Sequence, residues 1–174
     1  MFTDKRFGLA AMLFAVMPSL AQAQQFGQQI SPTDVAPWDI SIGPDGATLP
    51  TGQGTAAQGE AVYVAKCAAC HGEKGTGGPV DVLAGGMGSL ATGKPVKTVG
   101  SYWPYATTLF DYVRRAMPFT APKSLTNAEV YAVSAYILNL NGLVGIDDVL
   151  DAKSLLRVSM PNRNGFVRFP RDPG

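Results

Sequence analysis

All the cysteine and histidine of this chain lies between residues 67 and 71: the 174 residues contain two cysteines and one histidine. They are Cys67, Cys70 and His71, in the pattern C-x-x-C-H. This pattern is the attachment signature of a c-type haem. Two thiols one helical turn apart can reach the two vinyl groups on one edge of a porphyrin, and the next residue places an imidazole under the iron. The sequence therefore predicts one covalently bound haem c with His71 as an iron ligand.

Three other chemistries use the same residue types. A redox dithiol of the thioredoxin kind does not need the adjacent histidine, and its usual strand-helix-strand context is missing here. A structural zinc site needs a fourth ligand, and the chain has no further cysteine or histidine to supply it. A disulfide between residues so close in a helix would constrain almost nothing. Haem attachment is therefore the favoured interpretation.

The second iron ligand is a methionine or an open position, because a single histidine excludes bis-histidine ligation within a monomer. Beyond the first 23 residues the methionines are Met87, Met117 and Met160. Met117 precedes a proline between two predicted helices, where a loop can cross the far face of the macrocycle, and it is the predicted ligand. Met87 lies in a glycine-rich run and Met160 near the C-terminal end. For any of them, core packing is the alternative role.

Other residues are expected to line the haem environment. The second ring nitrogen of His71 needs an acceptor that fixes the ring, and the carbonyl of Pro79 is the candidate, although Pro79 can also be a simple turn residue. Arg114 and Arg115 can pair with a haem propionate or stay solvated. The aromatic residues that can donate to the propionates, or merely add buried area, are Tyr102, Trp103 and Tyr105.

Three main helices are predicted to position these groups, over residues 56–70, 105–116 and 124–141. In the last of them Thr126 is the expected N-cap, Glu129 completes a capping box, and Gly142 follows the end. A further short helix is predicted over residues 147–158. Residues 72–100 hold nine glycines and are predicted to form a long loop that wraps a bound group.

Four segments follow from this pattern: a signal peptide at residues 1–23, an irregular segment at 24–55, a helical domain at 56–142 and an extension at 143–174. Alternation of apolar and polar residues at 38–42 predicts an extended piece lying against the core. The extension is expected to lie outside the core, because it follows the last main helix. Three short helices bury little apolar surface, so the haem is expected to form part of the core.

The N-terminus has the three parts of a secretory signal. A charged start at residues 4–6 precedes an apolar run at 7–16, and Ala21 and Ala23 give the small-residue cleavage pattern. The run is shorter than the roughly 20 residues that a membrane span needs. The mature chain is therefore predicted to work in the periplasm, without a membrane span.

The charge balance excludes some partners. Lys and Arg number 14 against 13 Asp and Glu, which gives a formal net charge of +1. Such a chain has no net field to draw it onto nucleic acid. Outside the C-x-x-C-H motif, no histidine or cysteine remains for acid-base or nucleophilic work, so no catalytic residue is predicted.

The motifs together resemble those of class I cytochromes c. The residues that make this resemblance are Gly59 and Tyr63 before the C-x-x-C-H motif, Gly72 after it, the Met-Pro pair at Met117 and the aromatic Tyr136 in the last helix. The resemblance implies an all-α class I cytochrome c fold, with three main helices around a covalent haem and irregular segments at both ends. It also implies that the first and last main helices cross near the glycine and the aromatics.

A closer resemblance, over about residues 34 to 167, is to the cytochrome subunit of Sox-type sulfane dehydrogenase and related sulfite dehydrogenases. The run Gly-Ser-Tyr-Trp-Pro-Tyr-Ala at 100–106 is its most specific part. Shorter matches lie at 38–40, 44–46, 49–50, 83–86, 115–119 and 160–162. Members usually carry two haem domains, whereas this chain has a single C-x-x-C-H and resembles the first of them.

The resemblance implies an electron-transfer subunit. A molybdenum-cofactor partner would oxidise sulfite or protein-bound sulfane and reduce this haem, which would pass electrons to a downstream cytochrome c or oxidase of the respiratory chain. A free soluble electron carrier without a dedicated partner is the first alternative. A haem enzyme or sensor with an open iron position is the second.

Overall fold

The computed structural model describes residues 27–167, so the predicted signal peptide lies outside the described residues. Its helices and strands follow in the chain order α1 (Pro32–Val35), β1 (Gln53–Gly54), α2 (Ala56–Lys66), α3 (Ala68–His71), a 3-10 turn (Ser89–Ala91), α4 (Val99–Tyr102), α5 (Ala106–Ala116), α6 (Asn127–Leu140), β2 (Leu150–Asp151) and a second 3-10 turn (Leu155–Arg157). The long helices are α2, α5 and α6. No helix of residues 27–167 is long and apolar enough to cross a membrane.

Helix α6 begins and ends where its sequence predicts. The Thr126 hydroxyl accepts from the Glu129 N–H, and the Glu129 carboxylate accepts from the Thr126 N–H at 2.8 Å, which completes the capping box. Gly142 follows the helix with a left-handed φ of 69°. The apolar face of α6 is buried almost throughout, from Val130 to Leu138. This helix is therefore the centre of the core.

Helix α2 crosses α6 at very close range. A Cβ placed on Gly59 would lie 1.9 Å from the backbone oxygen of Ala132, so only glycine allows this approach. Next to this contact, the rings of Tyr63 and Tyr136 pack with their centroids 5.1 Å apart. The expected crossing of the two helices near a glycine and aromatic residues is confirmed.

Gly59→Ala should therefore destabilise the protein, because the added methyl group has to push the α6 backbone away. We expect a loss of about 2 kcal/mol or more in the free energy of unfolding, even though alanine favours a helix by roughly 1 kcal/mol. Denaturant unfolding of the holoprotein measures this loss. Gly93→Ala is the control, since a Cβ at Gly93 meets no atom within 4 Å. Equal unfolding midpoints for the two variants would contradict the prediction.

The predicted helix at residues 147–158 is wrong. In its place β2 pairs antiparallel with β1, with Gln53 opposite Asp151, and a 3-10 turn follows. The Asp151 carboxylate accepts from the N–H groups of Lys153 and Ser154, at 2.8 and 2.7 Å. A side chain that binds its neighbours' N–H groups in this way favours a turn over a helix.

The segment after α6 belongs to the core, so the expectation that it lies outside is also wrong. Four of its apolar side chains are buried with the helices: Leu150, Leu155, Val158 and Met160. Farther along, Asn162 donates to the Tyr102 carbonyl at 2.7 Å, and the Arg163 guanidinium lies 4.5 Å from the centre of the Tyr105 ring. The helices alone offer too little apolar surface, and this segment supplies more.

The irregular N-terminal segment also lies against the helices. The side chain of Ile42 is buried, and its N–H donates to the Asp111 carboxylate at 2.9 Å. Tyr131 anchors the same segment farther along, since its hydroxyl donates to the Pro50 carbonyl at 2.9 Å. The predicted extended piece at 38–42 therefore contacts the core at its Ile42 end, while Trp38 remains 78% exposed.

Candidate haem site

The C-x-x-C-H motif sits at a break between two helices. The predicted helix over 56–70 ends at Lys66, Cys67 leaves helical geometry with φ −127° and ψ −37°, and α3 then carries Cys70 and His71. The Cys67 carbonyl accepts from the N–H groups of Cys70 and His71, at 3.1 and 3.0 Å. This single turn holds the three residues of the motif together, as haem attachment requires.

The two cysteines differ in their surroundings. Both are free thiols; Cys67 is half-buried and Cys70 is exposed. Burial raises the pKa of the Cys67 thiol to about 11, so in the unmodified chain this group is a neutral thiol at neutral pH. Two free thiols with this spacing fit a double thioether to a haem edge.

The ring of His71 is held by one backbone group. Its Nδ1 lies 2.8 Å from the carbonyl oxygen of Asp81, which leaves Nε2 to bind a metal. The prediction that Pro79 supplies this acceptor is wrong. The Val80 N–H donates to the Cys70 carbonyl at 3.2 Å. In a trans peptide the N–H and the C=O point in opposite directions, so the Pro79 carbonyl points away from the Cys70 carbonyl.

Glycines let the following loop fold tightly onto the motif. A Cβ on Gly78 would lie 2.1 Å from the Cys70 carbonyl oxygen, and one on Gly72 would lie 1.7 Å from that of Thr76. The buried Tyr63 hydroxyl donates to the Gly72 carbonyl at 2.9 Å. The glycine-rich composition of this segment therefore serves close backbone contact, which places Asp81 beside His71.

The three candidate methionines occupy very different places. Met160 is 2% exposed and packs in the core, whereas Met87 is 51% exposed between two glycines in left-handed conformation. Met117 is half-buried directly after α5, in extended backbone with φ −117° and ψ 146°. Burial of Met160 indicates a packing role, and Met117 stays the predicted ligand.

The predicted propionate donors lie at the junction of α4 and α5, with Tyr102 as the last residue of α4. Tyr102, Trp103 and Tyr105 are all half-buried. The Trp103 ring meets Tyr112 edge-on at 5.8 Å, and Tyr102 meets Phe166 in the same way at 5.2 Å. Their positions suit either role considered for them, and a propionate contact stays a prediction.

The two arginines bind protein groups. Arg114 donates to the Ile40 carbonyl at 3.2 Å, and Arg115 forms an ion pair with Asp111. The Arg115 side chain is still 44% exposed, so of its two predicted roles the solvated one is the one observed, with Asp111 as its ion-pair partner. Arg114 remains half-buried, with one of its guanidinium nitrogens committed to the N-terminal segment.

Sequence reasoning missed Asn141, which ties the loop to α6. Its amide nitrogen donates to the Leu83 and Ile137 carbonyls, at 3.1 and 2.9 Å, and its amide oxygen accepts from the Gly85 N–H at 3.1 Å. An asparagine before a glycine at a helix end looks like an ordinary C-cap. Only the fold reveals that two of its partners, Leu83 and Gly85, lie more than 50 residues away.

The residues of this region fit a haem c. Two free thiols one turn apart, an imidazole fixed through Nδ1 and a thioether at a helix end match the ligand set of a methionine-histidine cytochrome. Within residues 27–167 no group of three or more His, Cys, Asp and Glu side chains could hold a metal ion instead. The chemistry expected from the motif therefore has a matching geometry.

Comparisons with known proteins agree with this arrangement. Residues 54–137 match the family described as cytochrome c oxidase, cbb3-type, subunit III. A chain in the crystal structure of the sulfane dehydrogenase SoxCD from Paracoccus pantotrophus matches with a TM-score of 0.77 and 42% identity, over 86% of this chain and 73% of that one. A search of the curated proteins gave no significant match. Identity of this size over this length confirms the resemblance, and the chain belongs to the family of c-type cytochromes that includes the SoxCD cytochrome subunit.

Proposed function

We propose that this protein is a periplasmic electron-transfer cytochrome with one haem c and a class I cytochrome c fold. It accepts electrons from a molybdenum-cofactor dehydrogenase that oxidises sulfite or protein-bound sulfane, and it passes them to a downstream cytochrome c or oxidase. The observation that carries the proposal is the C-x-x-C-H turn, with His71 fixed by the Asp81 carbonyl, in a chain 42% identical to one of SoxCD.

Each residue of the site has a distinct task. Cys67 and Cys70 would hold the haem through thioether bonds, and His71 and Met117 would supply the ligands of its iron. A haem held in this way accepts and releases one electron at a time. The Asp81 carbonyl accepts a hydrogen bond from the Nδ1–H of His71. This bond fixes the ring plane and makes Nε2 a stronger electron-pair donor to the metal. Nothing in the chain's cysteine and histidine content is left for acid-base catalysis.

The partner is supported by similarity to SoxCD rather than by the terminal segments. A minimal electron carrier needs neither the irregular N-terminal segment nor the C-terminal extension. Both pack on the helices and supply core residues such as Ile42 and Leu155. Their presence is explained by stability, so the argument for a partner rests on the relative alone.

Stopped-flow reduction tests the partner. The ferric holoprotein is mixed with a sulfur-oxidising molybdenum dehydrogenase from the same organism, with sulfite as donor, and haem absorbance reports electron arrival. We expect reduction within the turnover time of the dehydrogenase, and none when sulfite is left out. If neither sulfite nor protein-bound sulfane drives reduction, the free-carrier alternative is favoured.

Replacing the predicted axial methionine tests the ligand set. Met117→Ala should abolish the weak sulfur-to-iron charge-transfer band of the ferric protein. It should also lower the reduction potential by on the order of 0.1 V, because axial ligands move haem potentials over a range of about 0.8 V. Met87→Leu and Met160→Leu are the controls, and leucine keeps the buried volume at Met160. Loss of the band in Met87→Leu alone would show that Met87 is the ligand.

A further inference from the structure

Residues 38–42, called the N-terminal strap here, contact the chain on both sides of Met117. The Ile42 N–H donates to Asp111 at 2.9 Å, and the Ile40 carbonyl accepts from Arg114 at 3.2 Å. The Trp38 ring lies 5.7 Å from the Lys123 ammonium. The strap thus runs antiparallel to the segment 111–123, and its contacts fall before and after the methionine.

The strongest anchor is at the Ile42 end. The Asp111 carboxylate is only 7% exposed and accepts from both Ile42 and Arg115. Hydrogen bonds to a buried charged group are worth more than neutral ones, and leaving such a group unpaired is costly. The side chain of Ile42 packs in the core beside it. This end therefore fixes the strap firmly against the second half of α5.

Few hydrogen bonds hold Met117, although its side chain packs against the hydrophobic core. Helix α5 ends at Ala116, and the Met117 N–H makes a last helical bond to the Val113 carbonyl at 3.1 Å. The following loop is built from internal turns, with Ala121 donating to Pro118 and Ser124 donating to Ala121. The position of the Met117 sulfur therefore depends on what holds the last turn of α5 and the loop in place.

We infer that the N-terminal strap is the element that positions Met117 against the iron, with Asp111 and Arg114 as positioning residues. This inference rests on the proposed role of Met117. The strap prevents the last turn of α5 from moving outward, so the sulfur stays within bonding range and an external ligand competes poorly. Loosening the strap should weaken the iron–sulfur bond without unfolding the protein.

Imidazole titration of the ferric holoprotein measures this competition, because imidazole displaces the methionine and removes the charge-transfer band. In Arg114→Met we expect imidazole to bind about tenfold more tightly than in the parent. One hydrogen bond from a charged donor no longer holds the strap, so Met117 competes less well for the iron. Arg114→Lys keeps a donor and should restore most of the parent affinity. Asp111→Asn, which retains an acceptor for Ile42, should give an intermediate value.

Tyr131→Phe is the matched control. It also removes one hydrogen bond to a carbonyl of the N-terminal segment, that of Pro50, but away from Met117. Its imidazole affinity should equal that of the parent, even if its unfolding midpoint falls as far as that of Arg114→Met. Equal imidazole affinities in Arg114→Met, Tyr131→Phe and the parent would overturn the inference while leaving Met117 as the ligand. A parent without the band, or a Met117→Ala variant that retains it, would overturn the ligand assignment and the inference together.

Discussion

Cys67→Ser combined with Cys70→Ser is expected to yield a chain with no covalent haem and no stable fold. Both thioether bonds are lost, and the helices and the segments packed on them must then stay together without the apolar surface of the haem. A domain of this size buries little apolar surface on folding, so losing the haem surface leaves too little to stabilise it. Acid-acetone extraction followed by haem staining of the denatured chain measures attachment, and circular dichroism measures the remaining helix.

Ala69→Ser is the control for this experiment. Ala69 is an exposed residue within the same motif, and its replacement should leave attachment and helix content unchanged. The double serine variant should also accumulate to a much lower level in cells, since an unfolded chain is degraded by proteases. A haem-free double variant that is soluble and fully helical would contradict the view that the haem is part of the core.

Truncation after Gly145 is expected to prevent stable folding, although the cut lies beyond the last long helix. It removes four buried side chains, those of Leu150, Leu155, Val158 and Met160. At about 1.5–3 kcal/mol for each fully buried apolar side chain, the loss is comparable with the whole stability of a typical domain. Denaturant unfolding and the yield of holoprotein measure the effect.

Two neighbouring leucines provide a gentler form of the same test. Leu155 is 1% exposed and Leu156 is 40% exposed. Leu155→Ala should lower the free energy of unfolding by about 2–5 kcal/mol, and Leu156→Ala should change it by less than about 1 kcal/mol. A truncated protein with a normal haem spectrum and an unchanged midpoint would show that the segment after α6 is dispensable.

The elements that the sequence predicts well are those fixed by local chemistry. Thr126 and Glu129 form their capping box within one turn, and the C-x-x-C-H motif needs only adjacent residues to present its ligands. The close approach at Gly59 was also expected from the family resemblance. Each of these features depends on neighbours in sequence or on a pattern shared by the family, so no knowledge of distant contacts is required.

The features that the sequence did not reveal depend on distant or directional contacts. No local pattern indicates that Asp151 lies opposite Gln53 or that Met160 is buried under the helices. The choice of Asp81 over Pro79 as acceptor for His71 is set by the direction of one peptide plane. The helix break at Cys67 was missed because the residues around it are good helix formers.

The pairing of β1 with β2 has a consequence for the order of events after synthesis. It joins Gln53 to Asp151, so the domain closes only when a late-made segment returns to an early one, and closing so long a loop is slow compared with forming a helix. The C-x-x-C-H segment lies between the two strands and nearer to the first. Because a chain is made from its N-terminus, this segment is complete before β2, and we expect its thiols to be accessible for haem attachment before the C-terminal segment closes the fold.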